Sequence, residues 1–301
     1  MMMLGFISFS HVDRKLRFFQ PHRRCCTTSH PKSGFSITHL RINLHMSQLQ
    51  ALLFDCDGVL AETERDGHRV AFNRAFEYFD LNTYWDVETY GRLLQIGGGK
   101  ERMVTYWREH GWPTKLLSGN QPAVSSSTTN DDLVTQQLNI AKKIHEKKTE
   151  LFMEMVRNGE ISLRPGILRW IKTAFEKQLQ VAICSTSNEK AVQGLVVHLF
   201  PDYIATRIPI FAGDQVKEKK PAPDIYELAV MKLGLNKKQC LVIEDSNVGL
   251  RAAKAAGLPC VITKSYYTHQ EDFSMADAVY NSAEEWSWDS LEKLLLLANH
   301  K

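Results

Sequence analysis

The apolar run Ala51–Phe54 stops abruptly at two carboxylates, Asp55 and Asp57, with Gly58 directly behind them. In a strand, residues two apart share a face, so both carboxylates would project together at the end of a buried strand. Gly58 would then let the chain turn away sharply. Such an end can bring a nucleophile, a proton donor and a divalent metal together. An isolated Asp-x-Asp is more often a plain polar strand end, so the rest of the chain has to decide.

Four short apolar runs end in polar residues: Leu52–Phe54 before Asp55, Val181–Cys184 before Ser185, Ile208–Ala212 before Asp214, and Leu241–Ile243 before Glu244. Helix-length segments separate them, at Gly166–Lys177, Glu189–Leu199, Pro223–Leu233 and Val248–Ala256. Strands alternating with helices predict an α/β fold with a parallel sheet, whose ligands gather at the carboxyl ends of the strands. The stretch from about 66 to 160 breaks the alternation. It is helical in period, rich in aromatics and without a convincing buried strand, which predicts an all-helical insertion just after the first strand. Within it, Ser118–Asn130 is of low complexity and reads as a surface loop. The expected division is 1–48 as an extension, 49–65 plus 160–301 as the sheet domain, and 66–159 as a helical cap.

Taken together, Asp55-x-Asp57-Gly58, Ser185, Lys220 and Glu244-Asp245 stand in the order of the haloacid dehalogenase superfamily of phosphotransferases, which the chain resembles over about residues 49–280. Each group has an ordinary reading by itself. Ser185 could cap a helix beginning near Asn188, Lys220 lies in a solvated-looking charge run, and Glu244-Asp245 could be an acid pair at a helix N-terminus. The chemistry favours the joint reading, because a carboxylate attacks phosphorus only where a cation, hydroxyl donors and a lysine neutralise the phosphoryl charge.

The resemblance implies a Rossmann-like parallel-sheet core with an inserted helical cap, in which Asp55 is the nucleophile and Asp57 the general acid/base. It implies Mg²⁺ held by the Asp55 carboxylate, the Asp57 backbone carbonyl and Asp245, with Glu244 acting through water; all-oxygen ligands suit this hard ion. Ser185 would donate to the phosphoryl oxygens, helped by backbone N–H groups of the turn containing Thr186 and Asn188, and Lys220 would balance charge.

A closer likeness lies in the helical part. Thr63-Glu64, Gly67-His68-Arg69, Trp85–Arg92 and Gly97-Gly-Gly-Lys100-Glu-Arg102 resemble the CbbY-type subfamily, whose characterised members are phosphatases of xylulose-1,5-bisphosphate. That resemblance implies a sugar-phosphate substrate and removal of an inhibitor of Rubisco, in the setting of the Calvin cycle. Three glycines followed by Lys100 and Arg102 can bring backbone N–H groups and two cations to a second phosphate, with Gly98 and Gly99 nearest; a plain interhelical turn is the alternative. Glu64, His68, Tyr90 and Arg92 are the further candidates for contacts to the sugar.

Residues 1–48 carry Arg14, Lys15, Arg17, Arg23, Arg24, Lys32 and Arg41 against a single acid, Asp13, with many Ser and Thr. This is the composition of an organelle transit peptide, here plastidial; the alternatives are a disordered extension and a chain whose true start is Met46. The net charge of +3 comes from this segment, the rest of the chain being slightly acidic, so neither a nucleic-acid nor a membrane surface is expected, and no apolar stretch reaches the roughly 18 residues of a membrane span. Cys56, Cys184, Cys240 and Cys260 sit in or beside apolar runs without CxxC spacing, as small buried thiols. The expected protein is a monomeric Mg²⁺-dependent phosphatase. A hexose phosphomutase related to β-phosphoglucomutase is the enzymatic alternative, and a sugar-phosphate sensor the non-enzymatic one.

Overall fold

The computed structural model describes residues 49–113 and 130–298. The basic segment 1–48 and all but Asn130 of the run 118–130 lie outside the described residues.

Six parallel strands, β1 (Ala51–Phe54), β2 (Gln180–Cys184), β3 (Ile210–Phe211), β4 (Cys240–Glu244), β5 (Cys260–Thr263) and β6 (Ala278–Tyr280), form one sheet in the order β3-β2-β1-β4-β5-β6. Both faces are covered, as an all-parallel sheet requires. Alternation along β1 shows it directly: Leu52 and Phe54 enter one apolar cluster, Ala51 and Leu53 the other, and all four are inaccessible to solvent. All four predicted runs hold strands, although β3 keeps only two residues of Ile208–Ala212. β5 and β6 complete the edge beyond β4.

The four helices read from the sequence between strands are present as Ile167–Glu176, Glu189–Leu199, Asp224–Leu233 and Asn247–Ala255. In the first of these Ile167, Trp170, Ile171 and Ala174 are buried, the i, i+3, i+4, i+7 face of an amphipathic helix. Gly166, with φ 85°, makes the turn into it. Cys56, Cys184, Cys240 and Cys260 are buried free thiols.

Between β1 and β2 the described residues up to Arg157 form helices and no strand. A π-helical turn (Thr63–His68) runs into α1 (Arg69–Tyr78), followed by α2 (Val87–Leu93), α3 (Gly99–His110) and the long α4 (Asn130–Arg157). Asp86 caps α2 by accepting from Thr89 N. Phe72, Phe76, Trp85, Tyr90, Met103, Trp107 and Ile144 build an aromatic cluster separate from those of the sheet. The last turns of α4 are different, since Phe152, Met155 and Val156 join the cluster on the sheet. In chain order the remaining helices are α5 (Ile167–Glu176), which leads into β2, then α6 (Glu189–Leu199), α7 (Asp202–Ala205), α8 (Asp224–Leu233), α9 (Asn247–Ala255) and α10 (Trp288–Ala298). No helix among the described residues is long and apolar enough to cross a membrane.

Candidate active site

Register brings the chemistry together. Phe54 pairs with Ile183 on one side and Ile243 on the other, so one residue further on Asp55 lies between Cys184 and Glu244. Lys220 enters from the segment before α8 and spends all three of its protons here: on Asp55 Oδ1 at 2.5 Å, Glu244 Oε1 at 2.7 Å and the Cys184 carbonyl at 2.9 Å. Tyr226 O–H donates to the same Glu244 oxygen at 2.6 Å. Asp55, Glu244 and Asp245 are all buried, with one oxygen from each lying within 4.8 Å of the others.

Two glycines make this crowding possible. A Cβ at Gly58, whose φ is 81°, would overlap the Asp245 carboxylate, and one at Gly249 on α9 would overlap that of Glu244.

One ammonium cannot balance three carboxylates. Burial lowers the affinity of Lys220 for its proton, but Asp55 and Glu244 outweigh this and hold the group well above the usual lysine range. Burial pushes Asp55 up to about 7 against the pull of Lys220, and pushes Asp245 well above the carboxylate range with Glu244 and Asp55 adding to the shift. The excess of buried negative charge and the all-oxygen donor set fit a small hard divalent cation.

Asp57, two residues beyond Asp55, is half-buried and has both carboxylate oxygens engaged. Thr63 Oγ1 donates to Oδ1 at 2.6 Å and Ser187 Oγ to Oδ2 at 2.7 Å. Ser185 is buried, and its Oγ accepts from Ser187 N at 3.0 Å. Ser185 does not cap α6. Asn188 does so, accepting from Lys190 N while its amide donates to Asp214 at 3.1 Å. Thr186 is half-buried, and its backbone lies so close to Gly213 that a Cβ there would overlap the Thr186 carbonyl.

In the helical part, Tyr90 O–H donates to Glu64 Oε2 at 2.6 Å, and Arg102 Nη1 donates to the Tyr90 oxygen at 3.2 Å. Arg102 Nε also donates to the Ile96 carbonyl at 3.0 Å, clasping the glycine turn before α3. Burial raises the Glu64 pKa, with Arg102 opposing. His68 Nε2 stands 3.9 Å from Asp57 Oδ1, while Lys148 Nζ lies 2.9 Å from His68 Nδ1. An ammonium only donates, so Nδ1 accepts and the ring proton sits on Nε2, facing Asp57. Burial and Lys148 keep His68 neutral, and burial pulls Lys148 down to about 8.

α3 begins at Gly99, behind Gly98 with φ 94°. Lys100 is exposed. Arg92 is also exposed and donates to Thr89 Oγ1 at 3.3 Å on its own helix, outside the Glu64–Tyr90–Arg102 group.

Sequence reading passed over Ser187, Lys148, Tyr226 and Arg164. Arg164 donates to the carbonyls of Gly58, Thr263 and Lys264, and its Nε is 3.5 Å from Glu62, tying the return from the helical part to the Asp55–Gly58 loop. Ser187 carried a signal in the Ser-Thr-Ser-Asn turn. Nothing in sequence separates Lys148 from Lys142, Lys143 and Lys147 on the same helix.

The family of haloacid dehalogenase-like hydrolases matches residues 49–257. The chain is 48% identical over 231 residues to a CBBY-like protein of Arabidopsis thaliana, covering 77% of this chain and 68% of that one. It is 39% identical to protein CbbY of Rhodobacter capsulatus, covering 76% and 92% respectively. The solved structure of CbbY from Rhodobacter sphaeroides in complex with phosphate superposes with a TM-score of 0.62 at 38% identity, over 79% of this chain and 96% of that one. An aspartate-to-asparagine mutant of the same CbbY, in complex with xylulose-(1,5)bisphosphate, gives 0.62 at 37% identity over the same shares.

Proposed function

The chain belongs to the haloacid dehalogenase-like hydrolase family and is a phosphatase of CbbY type, and on that premise we propose that it hydrolyses a sugar bisphosphate, xylulose-1,5-bisphosphate, with Mg²⁺. One observation carries the mechanism: Lys220 holds Asp55 Oδ1 at 2.5 Å among buried carboxylates, with Asp57 two residues along the chain. In this reading a carboxylate oxygen of Asp55 attacks phosphorus, the bond from phosphorus to the sugar oxygen breaks, and Asp57 gives that oxygen its proton. Water then attacks the aspartyl-phosphate, losing a proton to Asp57, and the bond from phosphorus to Asp55 breaks to release phosphate. Asp57 can serve both steps because the departure of the alcohol and the entry of water are chemical opposites.

Ser185 and the N–H groups at Thr186 and Asn188 donate to the transferring phosphoryl oxygens, and Lys220 offsets its charge. Asp55, Asp245, Glu244 and the Asp57 carbonyl are the groups that would hold Mg²⁺, which supplies positive charge for the phosphoryl oxygens.

The distal part of the substrate is assigned to the helical segment 66–159, acting as a cap on a sheet domain of 49–65 plus 160–301. Glu64, His68 and Tyr90 would meet the sugar hydroxyls, with Gly98, Gly99, Lys100 and Arg102 at the second phosphate. Arg92 belongs to the same proposal. The xylulose-(1,5)bisphosphate held by the Rhodobacter sphaeroides CbbY mutant supports the choice of bisphosphate, and the composition of 1–48 supports a plastid location.

A panel of sugar mono- and bisphosphates, assayed for inorganic phosphate with Mg²⁺ and again with EDTA, tests the proposal. Xylulose-1,5-bisphosphate is expected to be the preferred substrate and EDTA to stop turnover. Full activity in EDTA would overturn the metal assignment. Isomerised hexose phosphate in place of inorganic phosphate would overturn hydrolysis in favour of a mutase.

A further inference from the structure

Tyr226 lies behind the carboxylates, on α8, with no exposure to solvent. Its O–H donates to Glu244 Oε1, the oxygen that Lys220 also takes, and its ring centroid is 5.0 Å from the Lys220 ammonium. Glu244 Oε2 points the other way, accepting from Asp245 N at 3.2 Å. Gly249 closes the carboxylate in from α9, leaving it no space on that flank. The phenol is thus a neutral donor that anchors one oxygen of a buried carboxylate and so sets the direction of the other.

We propose that Tyr226 is a positioning residue for the divalent-cation site, acting through Glu244: by pinning Oε1 it fixes Oε2 on the side of Asp245. Partners of this kind, one bond removed from the metal, orient the ligands and tune affinity. Lys220 does not replace it, because that ammonium is shared with Asp55 and the Cys184 carbonyl. The inference rests on the reading that Asp55, Glu244 and Asp245 hold Mg²⁺.

Tyr226→Phe keeps the ring and its packing and deletes only the donor. Mn²⁺ binding to metal-free full-length protein, followed by electron paramagnetic resonance, reads the effect without turnover. The variant is expected to bind Mn²⁺ about tenfold more weakly than the wild type. Glu244→Ala combined with Tyr226→Phe is expected to bind no more weakly than Glu244→Ala alone, since the alanine leaves the phenol no oxygen to orient and residues acting through one partner are not additive. A second readout is the rise in melting temperature on adding Mg²⁺, expected to be smaller in Tyr226→Phe. Equal or tighter Mn²⁺ binding by the variant, or additive losses in the double variant, would overturn the role of Tyr226 while leaving the metal site intact. Absence of Mn²⁺ binding by the wild type would overturn the metal reading and this inference with it.

Discussion

At the scale of single residues, the site is a balance between one ammonium and several carboxylates brought together at neighbouring strand ends. Asp55→Asn is nearly isosteric, and it removes both the oxygen proposed to attack phosphorus and one of the three clustered acids. Turnover is expected to vanish while circular dichroism and a cooperative melting transition are retained. Substantial phosphate release by the folded variant would refute the nucleophile. Lys148 offers a test of pH dependence. Burial lowers its pKa to about 8, so it is cationic below that pH and neutral above it. With a bisphosphate substrate, kcat/KM should decline as the pH rises past about 8, because deprotonation removes the positive charge 2.9 Å from His68 Nδ1, beside a proposed sugar contact. In Lys148→Arg, whose guanidinium stays charged, the decline should shift out of the measured range; an unchanged profile would assign it to another group. None of this was visible for Lys148 in the sequence, where it is one lysine of four on α4. Asp55, Asp57 and Glu244 were legible because each stands at or just beyond the end of an apolar run.

At the scale of elements, α2, α3 and the glycine turn between them carry the groups proposed to meet a second phosphate. Lys100 and Arg102 do not have equal structural duties. Lys100 is exposed, whereas Arg102 also donates to the Ile96 carbonyl and to Tyr90. Replacing either with Ala should remove charge-assisted hydrogen bonds worth about 1.5–3 kcal/mol, or roughly ten- to a hundredfold in kcat/KM. Hydrolysis of a small non-sugar phosphoester should change little in Lys100→Ala, and the loss should fall on the bisphosphate. Arg102→Ala should in addition lower the melting temperature, since the turn loses its clasp. Equal losses on both substrates would instead give Lys100 a part in folding or closure. The helical character of this stretch was readable from its period and its aromatics. That Arg92 would stay on its own helix while Tyr90 reaches Glu64 was not, because both occupy one short element and only its docking against the π-helical turn selects the inward face.

At the scale of the whole molecule, the sheet order places β1 between β2 and β4, and this alone makes neighbours of Asp55, Ser185 and Glu244. The basic, hydroxylated segment 1–48 adds a prediction of location. Fused to a fluorescent reporter, it should direct the reporter to plastids. A diffuse cytosolic signal would reject targeting, and a mitochondrial one would change the metabolic setting. The sequence by itself determined the α/β alternation, the helical interruption, the position of each strand-end acid and the four helices around the sheet. These are local properties, written in runs and periods of a few residues. Only the tertiary structure decided what depends on contacts distant along the chain. It added β6, three partly exposed residues with no period to announce them, and shortened β3 to two. It set Tyr226 and Lys220 on one oxygen of Glu244 and Thr63 and Ser187 on Asp57. It chose Lys148 from a helix full of lysines, because packing between elements, and not the composition of any one of them, selects which side chains face the same small volume.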